Sequence, residues 1–171
     1  MDNDTPSVDI DDIDLEILKR VERDYDVNLQ ELSNALGLSR SAIHYRLNKL
    51  KDANVIRDVS ARIDPLTFGL EMMMITEVSV VHDEGYANDI GGELTELDGV
   101  LQVYYTMGDV DFVLISRTRN REQMNALIEE IVAIDGVTET SSTFVMDELK
   151  TDNKTLSNVS DEMIADAVQS R

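Results

Sequence analysis

The chain contains no cysteine, and its two histidines, His44 and His82, stand far apart. Without thiols there is no disulfide framework, no thiolate nucleophile and no cysteine-based zinc site. Two isolated imidazoles are too few for an ordinary metal cluster. No stretch reaches the roughly 18 consecutive apolar residues of a membrane span. The opening residues, MDNDTPSVDIDDID, are acidic and polar, the opposite of a signal peptide's basic start and apolar middle. These absences predict a cytoplasmic protein with no membrane association, no metal and no cofactor. Positive charge is scarce as well. Lys and Arg number 15 against 35 Asp and Glu, a formal net charge of −20. Surplus carboxylate on this scale reads first as a generally acidic, solvated and self-repelling surface; the narrower alternative is salt adaptation, as in a halophilic archaeon.

What is present is enough for a core. Hydrophobic residues make up 42% of 171 residues, sufficient for one medium domain or two small ones. The acidity is uneven: residues 1–62 hold 9 bases and 13 acids, whereas residues 63–171 hold 6 and 22. Within the first part, residues 38–62 reverse the sign, with 6 bases and 2 acids. One positive segment in an acid-saturated chain is a functional clue, because a polyanion is the partner such a segment suits.

The N-terminal third reads as three short helices. Ile13, Ile17, Leu18 and Val21 form an apolar stripe. Asn28 followed by Glu31 resembles a capping box opening a second helix, with Leu29, Leu32 and Leu36 on one face. Gly37 supplies the positive φ that ends it, and Ser39 caps a third helix with Ile43, Leu47 and Leu50 as its core stripe. Asn54 suits the left-handed stop, and VIRDVSARID then alternates like a small hairpin or wing. Two helices joined by a glycine turn, the second basic and serine-capped, make a helix-turn-helix pattern.

On a wheel of about 100° per residue the third helix divides its roles. Ile43, Leu47 and Leu50 face inward, while Ser41, Tyr45, Asn48 and Asp52 point out, with His44 and Lys49 flanking. In a major groove, Arg40, Ser41, His44, Tyr45 and Asn48 can reach base edges. Lys49, Lys51, Arg57 and Arg62 are placed for phosphates. An acid on this face would meet the duplex's own negative charge. Arg46, about 60° off the core side, is expected to pack its stem structurally.

Asp64-Pro65 and Gly69 mark a connector over residues 64–70 between a DNA-binding domain, 1–63, and a second domain, 71–150. In the latter, strands at Met72–Val81, Val100–Met107, Val110–Arg117 and Gly136–Met146 alternate with helices at Tyr86–Leu97 and Glu122–Ile134. The order βαββαβ is ferredoxin-like, with one sheet face left for a partner. The expected fold class is α+β. Residues 151–171 read as a polar, acidic tail with a short helical stripe at Val159, Met163, Ile164, Ala167 and Val168, either frayed or docked on a neighbouring subunit.

With these residues in hand, the chain from about Ile13 to Glu148 resembles the Lrp/AsnC (feast/famine) transcription regulators. IDLEILKRVERDYDVNLQELSNALGLSRSAIHYRLNKLKDANVI is similar to the family's DNA-binding unit, YYTMGDVDFVLIS to its ligand-linked strand–turn–strand, and GVTETSSTFVM to its closing strand. The resemblance implies a winged helix-turn-helix followed by a RAM-type ligand-binding and oligomerisation domain. It also implies a homodimer, often a tetramer or octamer, on double-stranded promoter DNA, with an amino-acid effector in many members. By position it assigns Gly108, Asp109, Asp111, Thr140 and Ser142 to the effector site. An ammonium needs an acid such as Asp109 or Asp111, and a carboxylate needs hydroxyls or a backbone N–H; Gly-Asp-x-Asp also makes a plain tight turn. Two other classes compete with a DNA-binding regulator. An enzyme built on paired Asp109 and Asp111 has no histidine beside them and no phosphate loop to support it. The other is a small-molecule-sensing oligomer that acts through protein partners.

Overall fold

The computed structural model describes residues 9–24, 28–82, 84–151 and 154–164. They belong to two compact units: residues 62–150 form one, while residues 1–61 and 151–171 together form the other.

Three helices build the first unit: α1 (Asp12–Arg23), α2 (Leu29–Leu36) and α3 (Arg40–Asp52). Buried Ile17, Leu32 and Ile43, one from each, meet in its core, flanked by Ile13, Val21, Leu36 and Leu47. The reciprocal capping box lies on α1, where Asp11 and Asp14 satisfy each other's backbone N–H. At α2, by contrast, Asn28 accepts only from the Gln30 N–H, so the expected Asn28–Glu31 box is not made. Gly37 closes α2 at φ 64°, and its N–H donates to the Ser33 carbonyl. Ser39 caps α3 through the Ala42 N–H, and Asn54 turns at φ 55° beyond it. The expected hairpin in VIRDVSARID is not formed: residues 57–64 adopt no strand and are exposed. That segment holds no glycine and so no Asn-Gly or Asp-Gly turn, and a lone two-stranded ribbon is marginal in water.

The tail is also corrected. Tail residues Thr155–Asn158 and Asp161 reach α1 of their own chain rather than fraying. A short helix, α6 (Thr155–Asn158), is capped by a carboxylate from elsewhere in the sequence. Both Glu22 oxygens accept, from the Leu156 and Ser157 N–H groups at 2.9 Å and from the Ser157 hydroxyl at 3.0 Å. Asp161 pairs with Lys19, which holds its carboxyl below the usual value. Ile164 is buried, whereas the expected contributions of Ala167 and Val168 lie outside the described residues.

The second unit is a four-stranded antiparallel sheet in the order β2-β3-β1-β4, from β1 (Met72–Val80), β2 (Val100–Tyr105), β3 (Phe112–Thr118) and β4 (Val137–Phe144). Helices α4 (Tyr86–Glu96) and α5 (Arg121–Ala133) give the βαββαβ order. Met74, Val78, Phe112 and Leu114 point to one face, against Ile90, Leu94, Met124, Leu127 and Ile131 of the helices. Gly91 has a packing reason: a Cβ there would stand 3.2 Å from the Phe112 ring. On the opposite face Ile75, Val113 and Ile115 are only half-buried, and Tyr104 is exposed. Arg117, also on that side, is buried by its ion pair with Glu148 and its bond to the Leu70 carbonyl.

Candidate nucleic-acid interface and regulatory turn

Helix α3 presents an outward face as its spacing predicts. Arg40, Ser41, His44, Tyr45, Asn48 and Lys51 are all exposed, Tyr45 to 71%. Two pairs on this face are tied to each other. The Ser41 and Ser39 hydroxyls are 3.0 Å apart, and the Asn48 amide nitrogen lies 3.2 Å from His44 Nδ1. Arg57 and Arg62 lie on the irregular stretch after α3, both exposed, with Arg62 the first residue of the second unit.

Lys49 departs from its expected place among the phosphate contacts. Its ammonium donates to the Asp9 carbonyl at 2.7 Å and stands 3.6 Å from Asp14 Oδ2. Arg46 is turned the same way, donating to Asp11 Oδ2 and Asp14 Oδ1, each at 2.7 Å. Its protonated form is strengthened above the usual range by the Asp14 and Asp11 hydrogen bonds. Burial works to raise the Asp11 carboxyl, but the Asp14 N–H and the Arg46 guanidinium outweigh it and hold Asp11 below its ordinary value. Asp14 itself is fully buried. Sequence reasoning missed this cluster, although a signal existed: Asp14 falls on the same helical face as Ile17 and Val21. An acid on a core stripe requires a buried cation.

The regulatory turn is dispersed within one chain. Gly108 and Asp109 are exposed in the β2–β3 turn. Asp111 is committed to structure: Oδ2 accepts the Val80 N–H at 2.9 Å, and Oδ1 lies 2.6 Å from His82 Nε2. Its expected role as an open acid for an ammonium is therefore not met in the single chain. The His82 ring stacks on Tyr86 at 4.7 Å, and the Tyr86 hydroxyl lies 2.7 Å from that of Tyr105. Thr140 and Ser142 stand opposite Val78 and Thr76, hence on the helix-covered face, with the Ser142 and Thr76 hydroxyls 3.0 Å apart. Phe112 and Thr140 flank Val78 on either side, about 10 Å apart at normal strand spacing. The five residues thus do not converge on one pocket within a protomer.

The described residues contain no cluster of His, Cys, Asp or Glu able to hold a metal ion. They also contain no helix long and apolar enough to cross a membrane.

Comparison with known proteins agrees with both units. Residues 10–57 match the winged helix-turn-helix DNA-binding family, and residues 73–155 match the Lrp/AsnC ligand binding domain. The HTH-type transcriptional regulator FL11 of Pyrococcus abyssi is 34% identical over 139 residues, 81% of this chain and 91% of that protein. Its counterpart from Pyrococcus horikoshii is 35% identical over the same length and coverage. Among solved structures, a feast or famine regulatory protein from M. tuberculosis in complex with L-methionine is 26% identical. It superposes with a TM-score of 0.77 over 86% of this chain and 99% of its own. The L-methionine complex of a transcriptional regulator from Neisseria meningitidis, 23% identical, shares the fold with a TM-score of 0.79, covering 85% and 95%. A serine-capped helix-turn-helix followed by a ferredoxin-like sheet, matched across both units at this identity, makes the chain a member of the Lrp/AsnC family of DNA-binding transcriptional regulators.

Proposed function

We propose that the protein is a cytoplasmic homo-oligomeric regulator that inserts α3 into the major groove of promoter DNA and answers to an amino acid. Arg40, Ser41, His44, Tyr45 and Asn48 are its base-reading face, while Lys51, Arg57 and Arg62 hold phosphates. The observation that carries this reading is the outward side of α3. It is exposed, rich in hydrogen-bonding groups and free of acid until Asp52, in a chain of net charge −20. Lys49 supports the interface indirectly, by fixing α3 to Asp14 and the Asp9 carbonyl.

The half-buried sheet face with Ile75, Val113, Ile115 and Tyr104 favours pairing with a second copy, since an apolar face of this kind gains by exclusion of water. An amino-acid effector is supported by the L-methionine bound in the M. tuberculosis relative. Asp109 is the acid of the turn that suits an ammonium, because both oxygens of Asp111 are engaged. The acidic surface suits a salt-rich cytoplasm, where specific binding must draw on base contacts and on avidity more than on phosphates.

Footprinting of the full chain on its own promoter region, in concentrated KCl, tests the DNA reading. Protection at intervals of about 10 bp along one side of the duplex is expected. Aperiodic protection without sequence preference would refute it. Calorimetry against the common L-amino acids tests the effector; loss of binding in Asp109→Ala is the expected control.

A further inference from the structure

We infer that Asn48 reads an adenine in the operator through an amide whose orientation is set by His44. The inference rests on the reading that α3 lies in the major groove. Both residues are exposed on the outward face, one helical turn apart, with the Asn48 amide nitrogen 3.2 Å from His44 Nδ1. An amide nitrogen carries two hydrogens and has no lone pair to offer, so Nδ1 must be the acceptor. The inferred arrangement is the Nε2–H tautomer, in which Nδ1 can accept this hydrogen.

The contact has a consequence for recognition. An unpaired asparagine on a helix surface can rotate its amide by a half-turn, exchanging donor and acceptor, and so fits more than one base edge. The His44 bond fixes the nitrogen side. With one hydrogen spent on His44, Asn48 keeps a carbonyl acceptor and one N–H donor. In the major groove only adenine offers the complement on a single base, the N6 amine as donor and N7 as acceptor; guanine offers two acceptors, and cytosine one donor. Asn48 is therefore the specificity-determining contact and His44 its positioning residue. Tyr45 and Ser41 do not compete for the amide, since Ser41 is engaged with Ser39.

The test is selection of duplexes from a random-sequence pool by the full chain, followed by affinity measurements on the selected operator. Each base of the half-site is replaced in turn, and the assigned adenine also by 7-deazaadenine, which lacks only the N7 acceptor. For the wild type, replacing this adenine is expected to weaken binding roughly five- to a hundredfold, and the deaza base should weaken it too. Asn48→Ala should bind all four bases alike at that position and ignore the deaza change, while preferences elsewhere persist. His44→Ala should lose several-fold of the adenine preference. His44→Gln, whose carbonyl can accept from Asn48 one turn away, should restore it; a merely structural role for His44 would leave the base profile unmoved. Retention of every wild-type preference in Asn48→Ala overturns the assignment, and an unchanged adenine preference in His44→Ala overturns the positioning role. A wild type that selects no sequence at all overturns the groove reading itself, a result distinct from an ordered operator that lacks an Asn48-dependent adenine.

Discussion

Asp14 of α1, fully buried, accepts a hydrogen bond from Arg46 of α3 at 2.7 Å, so the recognition helix is fastened to the first helix by charge as well as by Ile17 and Ile43. Asp14 also faces the Lys49 ammonium at 3.6 Å, and Asp11 shares the guanidinium.

Removing Asp14 should leave Arg46 with Asp11 alone and Lys49 with the Asp9 carbonyl alone. For Asp14→Ala the expected loss is about 1–3 kcal/mol, the range for a lost hydrogen bond to a charged group, since the cations left behind are partly exposed. Replacing both partners, as in Asp14→Leu with Arg46→Met, should recover part of it, because the guanidinium that loses its Asp14 bond is removed as well. Urea unfolding of the three proteins checks the order; an unchanged midpoint in Asp14→Ala would disprove the bridge's importance.

Phosphate contacts should be separable from this cluster by salt. Arg57 is exposed on the stretch after α3, so Arg57→Ala should lower the slope of log affinity against log salt by about 1. Lys49→Ala should change that slope less, its ammonium being held by Asp9 and Asp14, and should instead lower stability. Equal slopes lost in both variants would place Lys49 back among the phosphate contacts.

The C-terminal segment should stabilise the DNA-binding unit. Deleting residues 151–171 removes the Glu22-capped turn, the Lys19–Asp161 pair and buried Ile164. Faster amide exchange along α1 is expected in the truncated chain, with exchange in the sheet little altered. Glu22→Ala alone should cost roughly 1 kcal/mol, the usual value of a lost helix cap. Unaltered exchange in α1 would mean the segment adds nothing.

Tyrosine titration probes the contact between α4 and β2. The Tyr105 hydroxyl bound to Tyr86, together with burial, pushes the Tyr86 phenol up to about 12. A group raised in the folded state stabilises it fully below the unfolded value near 10, and the contribution fades as pH climbs through about 12. Absorbance titration should therefore show the Tyr86 phenol ionising late, shifted earlier by Tyr105→Phe. No change on that substitution would rule out the hydroxyl pair as the cause.

Legibility in the sequence followed the range of the forces involved. The helix stripes of Ile13, Ile17 and Val21 or Ile43, Leu47 and Leu50, the Gly37 and Asn54 stops, and the βαββαβ order were readable because period and local capping act within a few residues. Alternation misled in VIRDVSARID, where a period of two without a glycine turn or a neighbouring strand has nothing to pair with. The Asn28 cap was visible, but its reciprocal partner was not made, and the box formed at Asp11 and Asp14 instead.

Local pattern by itself determined the two-part organisation, the outward chemistry of α3 and the single positive segment in a chain of net charge −20. Only the tertiary structure decided that Lys49 and Arg46 serve Asp14, that Asp111 is taken by Val80 and His82, and that Thr155–Asn158 and Asp161 return to α1. Each of these joins groups distant in the sequence. Their geometry depends on how packed helices and strands converge, which periodicity along one element cannot encode.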